Sequence, residues 1–125
     1  MTMPGISYAT IGSNDLEKAK AFYDELLGSI GWGTAMDLPT GGRIYGDGAS
    51  MFGVLSPYDG GAASAGNGTM IGFSFDSVEA LARFHARALA LGATNEGDPG
   101  ERMPGACFGY FRDPDGNKLC AYRIG

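Results

Sequence analysis

Phe111-Arg112-Asp113-Pro114-Asp115-Gly116-Asn117 lies between two stretches, 106–112 and 117–123, in which apolar residues alternate with others. Pro114 presets the backbone for a turn, Gly116 tolerates a left-handed conformation, and each aspartate bonds the chain a few residues on, so the stretch predicts a hairpin. Asp47-Gly48 stands in the same way between 42–46 and 49–55, a second hairpin signal. A helical pattern precedes each hairpin. Leu16, Ala19, Phe22, Tyr23, Leu26, Leu27 and Ile30 recur at spacings of three and four, as do Val78, Leu81, Ala82, Phe84, Ala88 and Leu91. Ser13 or Asn14 starts the first helix, with Asn14 and Glu17 as a capping box, and Gly31 and Gly33 end it. Ser77 and Gly92 bound the second. A strand pattern comes before each helix, at 5–12 and 70–75.

The order strand, helix, hairpin therefore occurs twice. Laying Phe22 on Phe84, an offset of 62, also lays Tyr8 on Met70 and Glu17 on Glu79. Laying Gly48 on Gly116, an offset of 68, lays Phe52 on Cys120. The drift of six residues falls in loops, and the repetition predicts a pseudo-twofold arrangement. Residues 56–68, rich in Gly, Ala and Ser without periodicity, form the connection between the copies.

A chain of 125 residues suits one domain and is long enough to bury a core without a disulfide or metal staple. Its 22 glycines, more than twice the ordinary share of about 7%, fit a fold with many tight turns. The net charge is −5 and the nine basic residues are scattered, which argues against a nucleic-acid partner. With no apolar run near 18 residues and no signal-peptide pattern, the expectation is a cytoplasmic protein that does not enter a membrane. Cys107 and Cys120 fit that compartment as reduced thiols.

Three motifs, in order, carry a resemblance: Ser13-Asn14-Asp15-Leu16-Glu17-Lys18-Ala19 with Phe22-Tyr23, then Gly66-Asn67-Gly68, then Phe111 through Asn117. Together they resemble the vicinal oxygen chelate superfamily of glyoxalases, bleomycin-resistance proteins and extradiol dioxygenases. The resemblance implies an α+β fold across residues 1–125. It would have two βαβββ modules, about 5–57 and 68–124, in a curved mixed sheet around a cleft, helices outside, and a homodimer. In that family, His, Glu or Gln side chains on the first and last strands of each module hold a divalent metal that acts on substrate oxygens. Carried over position by position, those places fall on Tyr8, Phe52, Met70 and Cys120. Such a set does not suit a divalent cation that takes carboxylate or imidazole. The resemblance thus implies a cleft with no metal and no cofactor, lined by Tyr8, Phe52, Met70 and Cys120 and taking a small molecule. Two other functions stay open: a lyase, isomerase or dioxygenase with a displaced or absent metal, and an interaction module without a ligand.

Other reactive side chains have plainer readings. His85, the sole histidine, falls one step off the apolar helix face and is expected to be solvated or partly covered. Cys120, near Lys118, has the surroundings of a nucleophile, but a buried structural thiol is the expectation. With the turn centred on Pro114-Asp115, Cys120 would face Gly109 and Cys107 would face Tyr122, an offset too wide for an easy disulfide. Tyr8 stands ready to donate to a bound carbonyl or to fill space. Arg43, after Gly41-Gly42, could meet an anion but is expected to be solvated. Asp15, Glu17, Asp113 and Asp115 belong to caps and turns.

Overall fold

The computed structural model describes residues 3–125, which fall into two compact units meeting between Ala63 and Ser64, inside the segment read as a connection. Unit one contains β1 (Tyr8–Gly12), α1 (Leu16–Gly28), β2 (Gly33–Asp37), β3 (Arg43–Gly46) and β4 (Met51–Leu55). Unit two contains β5 (Ile71–Ser74), α2 (Val78–Ala90), β6 (Thr94–Met103), β7 (Ala106–Arg112) and β8 (Lys118–Ile124). Each unit is one βαβββ module with its own four-stranded mixed sheet, ordered β1-β4-β3-β2 and β5-β8-β7-β6. The α+β fold of two repeated modules is as expected.

In each sheet the first and last strands of the module run parallel side by side, the helix leads from the first strand to the second, and the remaining pairs are antiparallel hairpins. The helices bury the periodic residues that identified them. Ala19, Phe22, Tyr23, Leu26 and Leu27 of α1 are buried, as are Leu81, Phe84, His85 and Ala88 of α2. Tyr23 packs on Tyr45 and Phe52, with ring centroids 6.3 and 5.1 Å apart; Phe84 packs on Phe73 and Phe111 at 5.6 and 6.0 Å. The core of each unit is therefore the layer between one helix and one sheet face.

The α1 N-cap is Asp15, whose carboxylate accepts from the Lys18 amide at 3.1 Å; Asn14 does not close a capping box with Glu17. Asn14 instead bonds both backbone groups of Ala63, donating to its carbonyl at 2.9 Å and accepting from its amide at 2.7 Å. Pairing with backbone removed the asparagine from the cap, and the next acid took its place.

β2 and β6 carry no alternating apolar pattern. They are edge strands with a hydrogen-bonded neighbour on one side only, β2 is exposed throughout, and β6 has three register shifts against β7. An edge strand of this kind is polar and irregular because it is paired on one side and little packs on it.

Candidate functional site

The side chains on the sheet face turned away from each helix are fixed by the strand register. In unit two, Phe111 and Leu119 are paired and buried on the α2 side, so Tyr110 and its partner Cys120 point the other way. Gly72, paired with Cys120, lies beside them on the parallel strand. Phe108 and its partner Tyr122 continue the same face. Their rings are stacked, Phe108 on Tyr122 at 5.6 Å and on Tyr110 at 6.0 Å, with interplanar angles of 17° and 5°. A Cβ on Gly72 would stand 3.2 Å from both Cys120 Sγ and the Tyr122 ring, so the bare backbone there is what lets Tyr122 lie against the sheet. Lys118 Nζ sits 5.1 Å from the Tyr110 ring centroid and Arg102 Cζ 5.5 Å from it. The result is an aromatic row over a glycine and a thiol, with two cations at one end.

In unit one the corresponding face carries Tyr8 and its partner Met51, then Thr10, Gly53 and Ile44, which are aligned across three strands. A Cβ on Gly53 would collide with Ile44 Cδ1, so the isoleucine covers the glycine. This face is aliphatic and carries one phenol.

The four residues carried over from the family's metal positions do not all share this kind of face. Tyr8 is 62% exposed on the face away from α1, and Met70, just before β5, is 44% exposed. Cys120 is 1% exposed on the face away from α2. Phe52 is 2% exposed and lies against Tyr23 of α1, so it belongs to the core and not to a ligand-lining face. The reason is a one-residue difference between hairpins. Tyr45 pairs with Phe52 seven positions on, whereas Phe111 pairs with Leu119 eight positions on. Phe52 thus corresponds to Leu119, and Gly53 corresponds to Cys120. The donor set at the family's metal positions becomes Tyr8, Gly53, Met70 and Cys120. A phenol, a bare glycine, a thioether and a thiol do not make a site for a hard or borderline divalent cation. Among the described residues, no three His, Cys, Asp or Glu side chains come together closely enough to hold a metal ion.

The Cys120 thiol is held above its ordinary ionisation range by burial, with the nearby Lys118 charge acting in the opposite direction. The desolvation dominates, so the group is a neutral thiol and not an activated nucleophile. Cys107 is paired with Arg123, and Cys120 with Tyr110, one residue from the register expected around the turn. Both are free thiols, and their positions on adjacent strands differ by an odd step, which places them on opposite faces.

His85 is not solvated. It is 3% exposed, with Nε2 lying 3.1 Å from the Tyr110 carbonyl and 3.2 Å from Asn95 Oδ1. Both neighbours are acceptors, since the Gly97 amide also donates to Asn95 Oδ1, so Nε2 carries a proton. The repeat contained the signal: the offset of 62 that lays Phe22 on Phe84 lays Tyr23 on His85, and Tyr23 is wholly buried.

Arg43 is neither solvated nor available to an anion. It lies in β3, with Nη1 2.8 Å from Asp24 Oδ2 and Nε 2.7 Å from Asp37 Oδ1. Both carboxylates hold the guanidinium above its usual range, Asp37 most of all. Tyr45 donates to Asp24 at 2.7 Å, and burial followed by this carboxylate pushes its phenol well above the ordinary value. This network ties α1 to β2 and β3.

The aspartate-rich turn is structural as well. Asp113 Oδ1 accepts from the amides of Asp115 and Asn117, both at 2.9 Å, and Asn117 Nδ2 donates to Oδ2 at 3.1 Å. Gly116, at φ +91°, takes the left-handed position.

A family model described as the glyoxalase/bleomycin resistance protein/dioxygenase superfamily matches residues 5–121. Among solved structures, a glyoxalase/bleomycin resistance protein from Albidiferax ferrireducens T118 is 41% identical, with a TM-score of 0.87 over 95% of this chain and 98% of that one. A lactoylglutathione lyase from Agrobacterium tumefaciens is 22% identical, with a TM-score of 0.73 over 98% and 96% of the two chains. A genomically encoded fosfomycin resistance protein from Listeria monocytogenes is 18% identical, with a TM-score of 0.74 over 99% and 96%. The likeness to these last two is one of fold. No protein of curated function matches the chain. No helix among the described residues is long and apolar enough to cross a membrane. By sequence model and by fold, the chain belongs to the glyoxalase/bleomycin resistance protein/dioxygenase superfamily.

Proposed function

We propose that the protein binds a flat, largely apolar small molecule without a metal, seated on the unit-two sheet face formed by Phe108, Tyr110, Cys120 and Tyr122. The observation that carries this reading is the stacked row itself. Three parallel rings stand partly exposed on a sheet face away from the core, beside Gly72, whose missing side chain lets the Tyr122 ring lie against the sheet. Parallel rings at this spacing present a surface on which another planar group can stack, and such contacts contribute about 0.5–1.5 kcal/mol each beyond area burial. The buried, neutral Cys120 thiol packs beneath this face as a polarisable, apolar support and is not itself open to the ligand.

Met70, 44% exposed, is proposed as a further contact of the same ligand, and Tyr8, 62% exposed, as a small-molecule contact on the unit-one face. The reading includes one functional domain formed by the whole chain, and a cytoplasmic homodimer, supported by the family's general habit. Light scattering reports the dimer, and a single calorimetric unfolding transition reports the domain.

The test of binding is thermal. A ligand that binds only the folded protein raises its stability by mass action. A neutral planar probe, 2-naphthamide, is expected to raise the melting temperature of the wild-type protein in proportion to its logarithmic concentration. Tyr122→Ala should abolish the shift. Zinc, nickel and manganese ions, each added alone, should leave the melting temperature where it is. A naphthamide effect that survives Tyr122→Ala would move the site elsewhere, and a tight metal-induced rise would overturn the metal-free part.

A further inference from the structure

We infer that the ligand of this face carries a negative charge, a carboxylate on a planar aromatic body, held by Arg102 and Lys118; this rests on the binding reading above. The two cations touch the same ring, Tyr110, at one end of the stacked row. Arg102 is placed there by the backbone of β6. Its Nη1 donates to the Gly100 carbonyl at 2.9 Å and its Nη2 to the Asp98 carbonyl at 2.7 Å. A Cβ on Gly97 would stand 3.2 Å from Nη2, and one on Gly100 would stand 3.0 Å from Nη1. The two glycines thus open a trough in which the guanidinium lies across Tyr110.

Neither charge is neutralised by an acid among the described residues. Arg43 is clamped by Asp24 and Asp37, and Arg112 by Glu96 at 2.8 Å. Arg102 meets only carbonyl oxygens, and the Asp98 carboxylate is turned to Asn95 Nδ2 at 2.7 Å. Among the described residues neither Arg102 nor Lys118 has a carboxylate partner, although the chain has 14 acidic residues against nine basic ones. Two uncompensated cations beside one aromatic ring form a local positive field in an acidic protein. A planar carboxylate satisfies guanidinium donors in the plane and an ammonium as a point charge, while its ring lies against the Tyr110 end of the row.

The test uses two probes of one shape, 2-naphthoate and 2-naphthamide, titrated calorimetrically into the full chain. The wild-type protein should bind naphthoate about tenfold or more tightly than naphthamide, and added salt should erode that preference. In Arg102→Gln with Lys118→Gln the preference should disappear, naphthoate falling to the affinity of naphthamide. Each single variant should lose part of it. Arg102 is exposed and Lys118 half-buried, and an unchanged melting temperature without probe confirms folding. Equal affinities in the wild-type protein, or a preference that survives the double substitution, overturn the anionic ligand and leave naphthamide binding standing. Absence of binding by either probe overturns the underlying reading, and the anion site with it.

Discussion

The two hairpins differ by one residue, and that residue decides which side chains lie on the sheet face away from the helix. In unit one the turn is Asp47-Gly48-Ala49-Ser50; in unit two it is Asp113-Pro114-Asp115-Gly116-Asn117. Both use an aspartate that accepts backbone amides, Asp47 from Ala49 and Ser50 at 2.8 Å, and Asp113 from Asp115 and Asn117 at 2.9 Å. The extra residue in the second turn shifts the returning strand by one. Because side chains alternate across a strand, a slip of one exchanges the two faces. Aligned on their aspartates and strand register, Phe52 matches Leu119 in the core and Gly53 matches Cys120. Aligned on their glycines, a core phenylalanine is mistaken for a site residue. Equivalent backbone positions thus carry unlike side chains: Thr10, Gly53 and Ile44 in unit one, Gly72, Cys120 and Tyr110 in unit two.

The sharpest way to break this correspondence is Phe52→Ala. A phenylalanine packed on Tyr23 in the core should cost about 3–5 kcal/mol when removed, read as a lower denaturation midpoint. A loss under about 1 kcal/mol, the size ordinary for exposed sites, would return Phe52 to the other face. The counterpart of Tyr23 is tested by His85→Ala. Removing a buried ring and leaving the Tyr110 carbonyl without that donor should cost about 2–4 kcal/mol. A solvated histidine would cost next to nothing.

The turns themselves come next. Asp113→Ala deletes the acceptor of two backbone amides and of Asn117 Nδ2 at a buried position, and should cost about 1.5–3 kcal/mol. Asp47→Ala, at an exposed turn, should cost less. The amides of Ser50 and Ala49 hold the Asp47 carboxyl below its usual value. Its contribution is therefore present above the unfolded-state value of about 4 and is lost as pH falls through the lower folded-state value. The difference in stability between wild type and Asp47→Ala should shrink on acidification. A gap that widens would reverse the sign of the shift.

Helices, hairpins and the duplication were legible because each rests on local chemistry: periodic apolar residues buried by α1 and α2, and turn residues whose side chains bond their own backbone. β2 and β6 were not, since edge strands are paired on one side and packed on little, so Gly33–Asp37 and Thr94–Met103 carry no alternation to read. The offset of 62 that matches Tyr8 with Met70 holds through β1 and β5, where Ala9 pairs with Phe52 as Ile71 pairs with Leu119. Phe52 was misplaced because the second offset was taken from a turn glycine, and turns are where length changes. Tyr122 was seen only as a neighbour of Cys120, and Phe108 and Tyr110 went unnoticed, although the strand period of two puts Tyr110 in phase with Phe108. Arg102 could not have been found this way: its place depends on the Gly97–Gly100 trough in an irregular strand.

The smallest effect concerns the two thiols, which the register puts on opposite faces of one sheet. Burial raises the Cys120 ionisation above that of an unfolded thiol, about 8.5. Below that value both states hold the proton and the contribution to stability is complete. Above it the unfolded chain releases the proton while the folded chain retains it, so stability declines as pH rises through the folded-state value. Between pH 8 and 10, Cys120→Ala should therefore lose stability less steeply than the wild-type protein. Iodoacetamide supplies the matching kinetic measurement, because only thiolate reacts. Under native conditions the partly exposed Cys107 should be alkylated before Cys120, and denatured, unreduced protein should take up two labels per chain. Binding of 2-naphthamide should slow labelling of Cys120 further and leave Cys107 unaffected, since only Cys120 shares a face with the aromatic row. Protection of Cys107 instead would mean that the probe sits on the helix side of β7, and the assignment of faces in unit two would fall with it.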